Sequence, residues 1–114
     1  MLFRSRLHGA NLTEADLTRA NLTYVDLEQS QLCGACLDGA RILALVGGAD
    51  FRGATLRGAD LSYSTLHNVN FEFCDLRDVD FSMCVFGANV SLHGAKLGNA
   101  KFQMTQGQVP KMSL

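Results

Sequence analysis

The chain has 114 residues, 47% of them hydrophobic, and a net charge of -1. That is enough apolar content for one packed domain, and it excludes a disordered chain. Near-neutral charge removes any general demand for nucleic acid, an anionic membrane or a strongly charged partner.

In chain order, residues 1–4 come first and carry no repeat; Met1, Leu2 and Phe3 are expected to cap the start of the domain. No apolar region of signal-peptide length occurs there. The longest apolar run, Ile42 to Val46, is far too short to span a bilayer. A cytoplasmic, membrane-free protein is the expectation, and four cysteines without regular disulfide spacing fit a reducing compartment.

From Ser5 onward a small residue, a polar residue and a large apolar residue recur every five positions, as in Ala10-Asn11-Leu12, Ala15-Asp16-Leu17 and Ala20-Asn21-Leu22. A helix turns 100° per residue, so a period of five would scatter the leucines around its axis. A flat strand would send successive leucines to opposite faces. A chain that turns a corner every five residues keeps them all inside, and four such units close a square.

The first run of apolar centres is unbroken from Leu7 to Leu37 and passes Cys33-Gly34-Ala35-Cys36. This CxxC has no second pair and no nearby histidine to complete a metal site. Its spacing comes from the repeat, because Cys33 comes just after one centre and Cys36 just before the next. Ile42 comes next, and Phe51 stands nine residues later instead of ten. A second run extends from Phe51 to Phe86, and Leu92 comes after six residues instead of five. The two errors cancel, so a distorted corner or bulge is expected around Leu43–Gly48 and Gly87–Ser91. Leu97 and Phe102 end the series, and residues 103–114, with Pro110, form a tail or cap.

These residues resemble the pentapeptide-repeat family, whose unit is written A(D/N)LXX. The resemblance covers Ser5 to Phe102 with about nineteen centres. It implies an all-β, right-handed quadrilateral parallel β-helix of about five coils, four pentapeptides to a coil. At the parallel-strand spacing the rod would be about 24 Å long. Counting in fours gives the core columns: Leu12, Leu32, Phe51, Phe71 and Leu92; Leu17, Leu37, Leu56, Leu76 and Leu97; Leu22, Ile42, Leu61, Phe81 and Phe102; and Leu7, Leu27, Val46, Leu66 and Phe86. Asp or Asn before a centre suits the turn, since a short polar side chain bonds nearby backbone.

No Ser-His-Asp, Cys-His or paired-carboxylate constellation stands out, so no enzyme, cofactor or metal is expected. His8, His67 and His93 fall at outward positions, with His8 and His67 several coils apart. Two surface features remain. Tyr24, Tyr63, Met83 and Met104 each fall two residues after a third-column centre, with Leu43 on the same side and Leu45 and Val85 near the corner. A contiguous apolar stripe marks a protein partner or a homodimer contact. The second feature is charge: Leu7 to Ala95 holds all eleven acids against five arginines, with basic residues Arg4, Arg6, Lys96, Lys101 and Lys111 towards the ends.

Some members of the resembled family mimic B-DNA and bind DNA gyrase or topoisomerase IV; here the candidate acidic track is Asp75, Asp78 and Asp80. The arginines interrupt it, and direct nucleic-acid binding is not expected. The leading expectation is a non-catalytic interaction or scaffold module, ahead of a topoisomerase-binding mimic and of an adaptor domain within a larger effector or signalling protein.

Overall fold

A computed structural model of the chain describes residues 6–107. Residues 1–5 and 108–114 lie outside the described residues, and with them the expected cap residues 1–4, Arg4, Lys111 and the end of the tail. The period of five is realised as corners. After each regular centre the chain makes a β-turn, and the N–H three residues on returns to the centre's carbonyl, as in Ala15 to Leu12 (3.0 Å) and Ala59 to Leu56 (2.9 Å). The third turn residue is left-handed: φ is 59° at Glu14, 57° at Arg19 and 69° at Gly53. A positive φ at that place is the signature of a type II turn.

Where Asp or Asn precedes a centre, its side chain satisfies a donor that the coils do not reach. Asn11 Oδ1 accepts the Thr13 N–H (3.1 Å), Asp60 Oδ1 that of Ser62 (2.9 Å), and Asp80 Oδ1 that of Ser82 (2.9 Å). This is the Asx turn expected of Asp and Asn.

Coils join through single parallel bridges on four sides. Asn11, Gln31, Asp50, Asn70 and Ser91 share the first ladder, and Asp16, Cys36, Thr55, Asp75 and Lys96 the second. Asn21, Arg41, Asp60, Asp80 and Lys101 form the third. The fourth runs through Arg6, Asp26, Leu45 and Thr65, and there it lengthens into short strands β1 (Thr65–Leu66), β2 (Val85–Phe86) and β3 (Gln106–Gly107), all parallel. Gly107 has φ 78°, and a Cβ there would strike the Phe86 carbonyl oxygen. The result is a right-handed β-helix measuring 31 × 23 × 22 Å.

The short step falls on the turn after Ile42, where four residues instead of five reach Val46, and Leu45 still bridges Asp26 and Thr65. The long step bulges at Gly87–Val90, where Asn89 is left-handed and Asn68 N–H reaches the Ala88 carbonyl (2.9 Å).

The core is a stack of centres. Leu32, Phe51, Phe71 and Leu92 are buried in the first column, Leu37, Leu56 and Leu76 in the second, and Leu22, Ile42, Leu61 and Phe81 in the third. Leu12, Leu17, Leu97 and Phe102 close the two ends and are partly buried. Phe51 stacks on Phe71 (5.2 Å), Phe71 meets Phe81 edge-on (5.9 Å), and Phe81 stacks on Phe102 (5.0 Å). Small residues fill the inner corners, and the polar ones donate to carbonyls: Ser64 Oγ to Ile42 (2.9 Å) and Cys84 Sγ to Leu61 (2.9 Å). Among the described residues no buried side-chain N or O lacks a partner, and no helix is long and apolar enough to cross a membrane.

Candidate functional site

At the regular corners the third turn residue is left-handed and, where it is not glycine, its side chain is exposed, so residue type at that position decides what a ridge of the rod displays. At the corner between the third and fourth sides the ridge reads Tyr24, Tyr63, Met83 and Met104, with φ of 61°, 65°, 63° and 55°. Their exposures are 58, 65, 38 and 78%. Neighbouring coils hold them in line: Tyr24 N–H reaches the Leu43 carbonyl, Tyr63 N–H that of Ser82, and Met83 N–H that of Gln103.

The second coil contributes no left-handed residue to this ridge. Its four-residue step omits the corner, and Ala44 lies low between the tyrosines. Leu43 is half-buried at the bottom of the gap, and Leu45 is turned out with 58% exposure. The notch that results holds about 360 Å³ and is lined by Tyr24, Leu43, Ala44, Leu45 and Tyr63. Tyr24 and Tyr63 flank it two coils apart, a separation of about 9.6 Å at parallel-strand spacing. Leu45 and the omitted corner make an apolar stripe into a shaped recess.

The three acids of the candidate track fall around a different edge. Asp75 lies on the second side between Thr55 and Lys96, and Asp80 on the third between Asp60 and Lys101. Asp78 is the corner residue between them (φ 63°). Asp75 is not a bare charge: Arg77 Nε and Nη2 donate to it at 2.8 and 2.6 Å. That hydrogen bonding holds its carboxyl down at about 2. Asp80 is lowered by the Ser82 hydroxyl and then by the Ser82 N–H. Asp50 is likewise gripped by Arg52 (2.8 Å).

The CxxC sulfurs have unlike surroundings. Cys36 lies 3.2 Å from the Thr18 hydroxyl, which lowers its pKa, helped by Thr55 and the Asp38 N–H. Cys33 is raised, by burial first and the neighbouring Asp50 second. Cys74 and Cys84 are buried and pushed up to about 12 and about 11.

Two further groupings escaped sequence reasoning. Phe73 is 63% exposed at the corner after Phe71, its ring over Gly94 and edge-on to His93 at 5.4 Å. The same count of two past a centre would have found it. His8, Asp26 and Glu28 bring one nitrogen and two carboxylate oxygens within 4.8 Å of one another, with His8 Nδ1 3.7 Å from Asp26. A tetrahedral ion with bonds of 2.0–2.1 Å needs its ligands about 3.3 Å apart, so this trio, with His8 exposed and the two acids half-buried, would have to close in to hold one.

The comparisons agree with this geometry. The profile for pentapeptide repeats matches eight copies over residues 2–39 and 47–82. Among solved structures, alr5209, a pentapeptide repeat protein from Nostoc Pcc 7120, is 28% identical with a TM-score of 0.60, over 83% of this chain and 82% of that one. QnrB1, a plasmid-mediated fluoroquinolone resistance protein, is 16% identical with a TM-score of 0.63, over 97% of this chain and 66% of that one, a likeness of fold alone. A search of curated protein sequences finds no match. With four ladders, a left-handed corner at nearly every fifth residue and the family profile over most of its length, the chain belongs to the pentapeptide-repeat family.

Proposed function

We propose that the chain is a non-catalytic protein-interaction module that binds through the ridge of Tyr24, Tyr63, Met83 and Met104 and the notch beside Leu43. One observation carries this reading: five large apolar side chains, Tyr24, Leu45, Tyr63, Met83 and Met104, stand exposed along one edge of a rod only 31 Å long. Edges lined by Arg, Asp and Glu would keep such a rod equally soluble, whereas exposed aromatic and methionine side chains are the composition of interface centres. The β-helix holds them on fixed rungs, so little ordering entropy opposes binding.

Membership of the pentapeptide-repeat family keeps a topoisomerase-binding DNA mimic as the second reading. A DNA-mimicking surface would need acids that stay unpaired, and here Asp50 and Asp75 are bound to arginines. The test compares two triple variants of the full chain as bait in a lysate: Tyr63→Ser/Met83→Ser/Met104→Ser and Asp75→Asn/Asp78→Asn/Asp80→Asn. The proposal expects partners lost from the first, kept by the second, and insensitive to salt. Loss from the second variant alone, with inhibition of gyrase supercoiling by the wild type at low salt, would overturn it in favour of the mimic.

A further inference from the structure

We propose that the ridge pairs with a second copy of this chain in an antiparallel two-fold dimer, in which each copy's Met83 fills the other's notch. This rests on the reading of the ridge as an interaction surface and names its occupant.

The argument is one of register. The ridge has five rungs at a common spacing: Tyr24, the notch, Tyr63, Met83 and Met104. A two-fold axis crossing the rod at Tyr63 reverses the order and keeps each side of the ridge opposite itself. Tyr63 then meets Tyr63, Tyr24 meets Met104, and the notch meets Met83. The notch lies where the ridge lacks its corner residue, and Met83 stands the same distance from the axis on the other side. Methionine is the side chain best able to adapt to an irregular apolar gap.

The flanking ladders agree with the same axis. On the fourth side the order Asp26, Leu45, Thr65, Val85, Gln106 puts exposed Leu45 against Val85, and Asp26 against Gln106, a hydrogen-bond donor. On the third side the order Asn21, Arg41, Asp60, Asp80, Lys101 puts Arg41 against Asp80 and Lys101 against Asn21. Only Asp60 meets its own kind, and the two Arg41 side chains stand on the rungs to either side of it.

Other registers lose this match. With the axis half a rung later, Arg41 opposes Lys101. Half a rung earlier, Met104 is left uncovered. A parallel pair sets notch against notch. The contact is a strip about 20 Å long along one convex corner of each rod, so it falls well below the area of a stable interface and the dimer should be weak and concentration-dependent.

The test is sedimentation of the full chain over a concentration series, together with bismaleimide cross-linking in a Cys33→Ser/Cys36→Ser background. Tyr63→Cys should cross-link to itself. Tyr24→Cys should not, but an equimolar mixture with Met104→Cys should give a dimer. Met83→Asp suits the left-handed corner as Asp78 does, and it should weaken dimerisation at least about tenfold while leaving the β-helix folded. A monomer at every concentration overturns the self-pairing, as does a dimer in which Tyr24→Cys cross-links to itself. If the wild type is monomeric while the ridge variant still loses lysate partners, the ridge remains the interaction surface and only the choice of occupant fails. If both tests are negative, both readings fail.

Discussion

Arg77 grips Asp75 through two hydrogen bonds, Nε to Oδ1 at 2.8 Å and Nη2 to Oδ2 at 2.6 Å, while the Arg77 N–H also points at Oδ1. One carboxylate thereby holds its own turn and an arginine together. Its pKa falls to about 2 from the usual 3.8, with the Arg77 side-chain hydrogen bonds as the chief cause. A group whose folded pKa is depressed contributes stability that is present above its unfolded value and lost as pH falls through the folded one. The melting temperature should therefore drop between about pH 4 and about pH 2, and Asp75→Asn should flatten part of that drop. An Asp75→Asn protein whose acid transition matches wild type would show that the pair contributes nothing.

The stacked columns make a sharper claim. Phe71 touches the rings of Phe51 and Phe81, and both neighbours are fully buried. Phe71→Ala should cost about 3–5 kcal/mol, because a rod of stacked coils has little freedom to collapse around the cavity. Leu56→Lys should abolish folding, since a charge in a dry column finds no partner. Circular dichroism and urea melts decide both cases; a β-rich Leu56→Lys protein with unchanged melting would refute the column.

The fold was legible because a repeat multiplies a weak signal. One Ala-Asn-Leu triplet means little, but Leu7 to Leu37 at constant spacing leaves the chain few ways to bury its centres. Corner positions are legible by the same count, since the residue two past Leu22, Leu61, Phe81 or Phe102 must lie on one ridge. Counting also shows that a residue is missing between Ile42 and Phe51. What it leaves out is the consequence, since a recess depends on the side chains around it. Leu43 sinks, Leu45 turns out, and the tyrosines two coils apart become walls. The His8, Asp26 and Glu28 grouping was illegible for a related reason: His8 and Glu28 stack across a coil, twenty residues apart in sequence.

Left-handed corners place a steric condition on the sequence. Among the described residues twelve non-glycine residues hold positive φ, Asn99 among them at 62°. Asparagine tolerates this region and a β-branched side chain does not. Asn99→Val should cost about 1–2 kcal/mol, and Asn99→Gly should be nearly neutral, although neither side chain enters the core. Equal melting of the two variants would mean that the corner relaxes at no cost.

The thiols provide a check that needs no mutation. Cys36 stands in the ladder position held by Asp16 and Asp75 in other coils, and its sulfur takes over the role of turn acceptor for the Asp38 N–H. The Thr18 hydroxyl at 3.2 Å, Thr55 and the Asp38 N–H all favour its thiolate. Cys33 has the opposite bias, from burial and from Asp50. Cys74 and Cys84 lie inside the rod with pKa values of about 12 and about 11. Reaction with iodoacetamide tracks the thiolate and its exposure. At neutral pH, Cys36 should be modified first, Cys33 more slowly, and Cys74 and Cys84 only as the rod opens. Peptide mass spectrometry over a time course reads the order directly. Labelling of Cys33 as fast as Cys36 would show that the hydroxyl cradle does not set the order, and early labelling of Cys74 would place that corner of the core outside the dry stack.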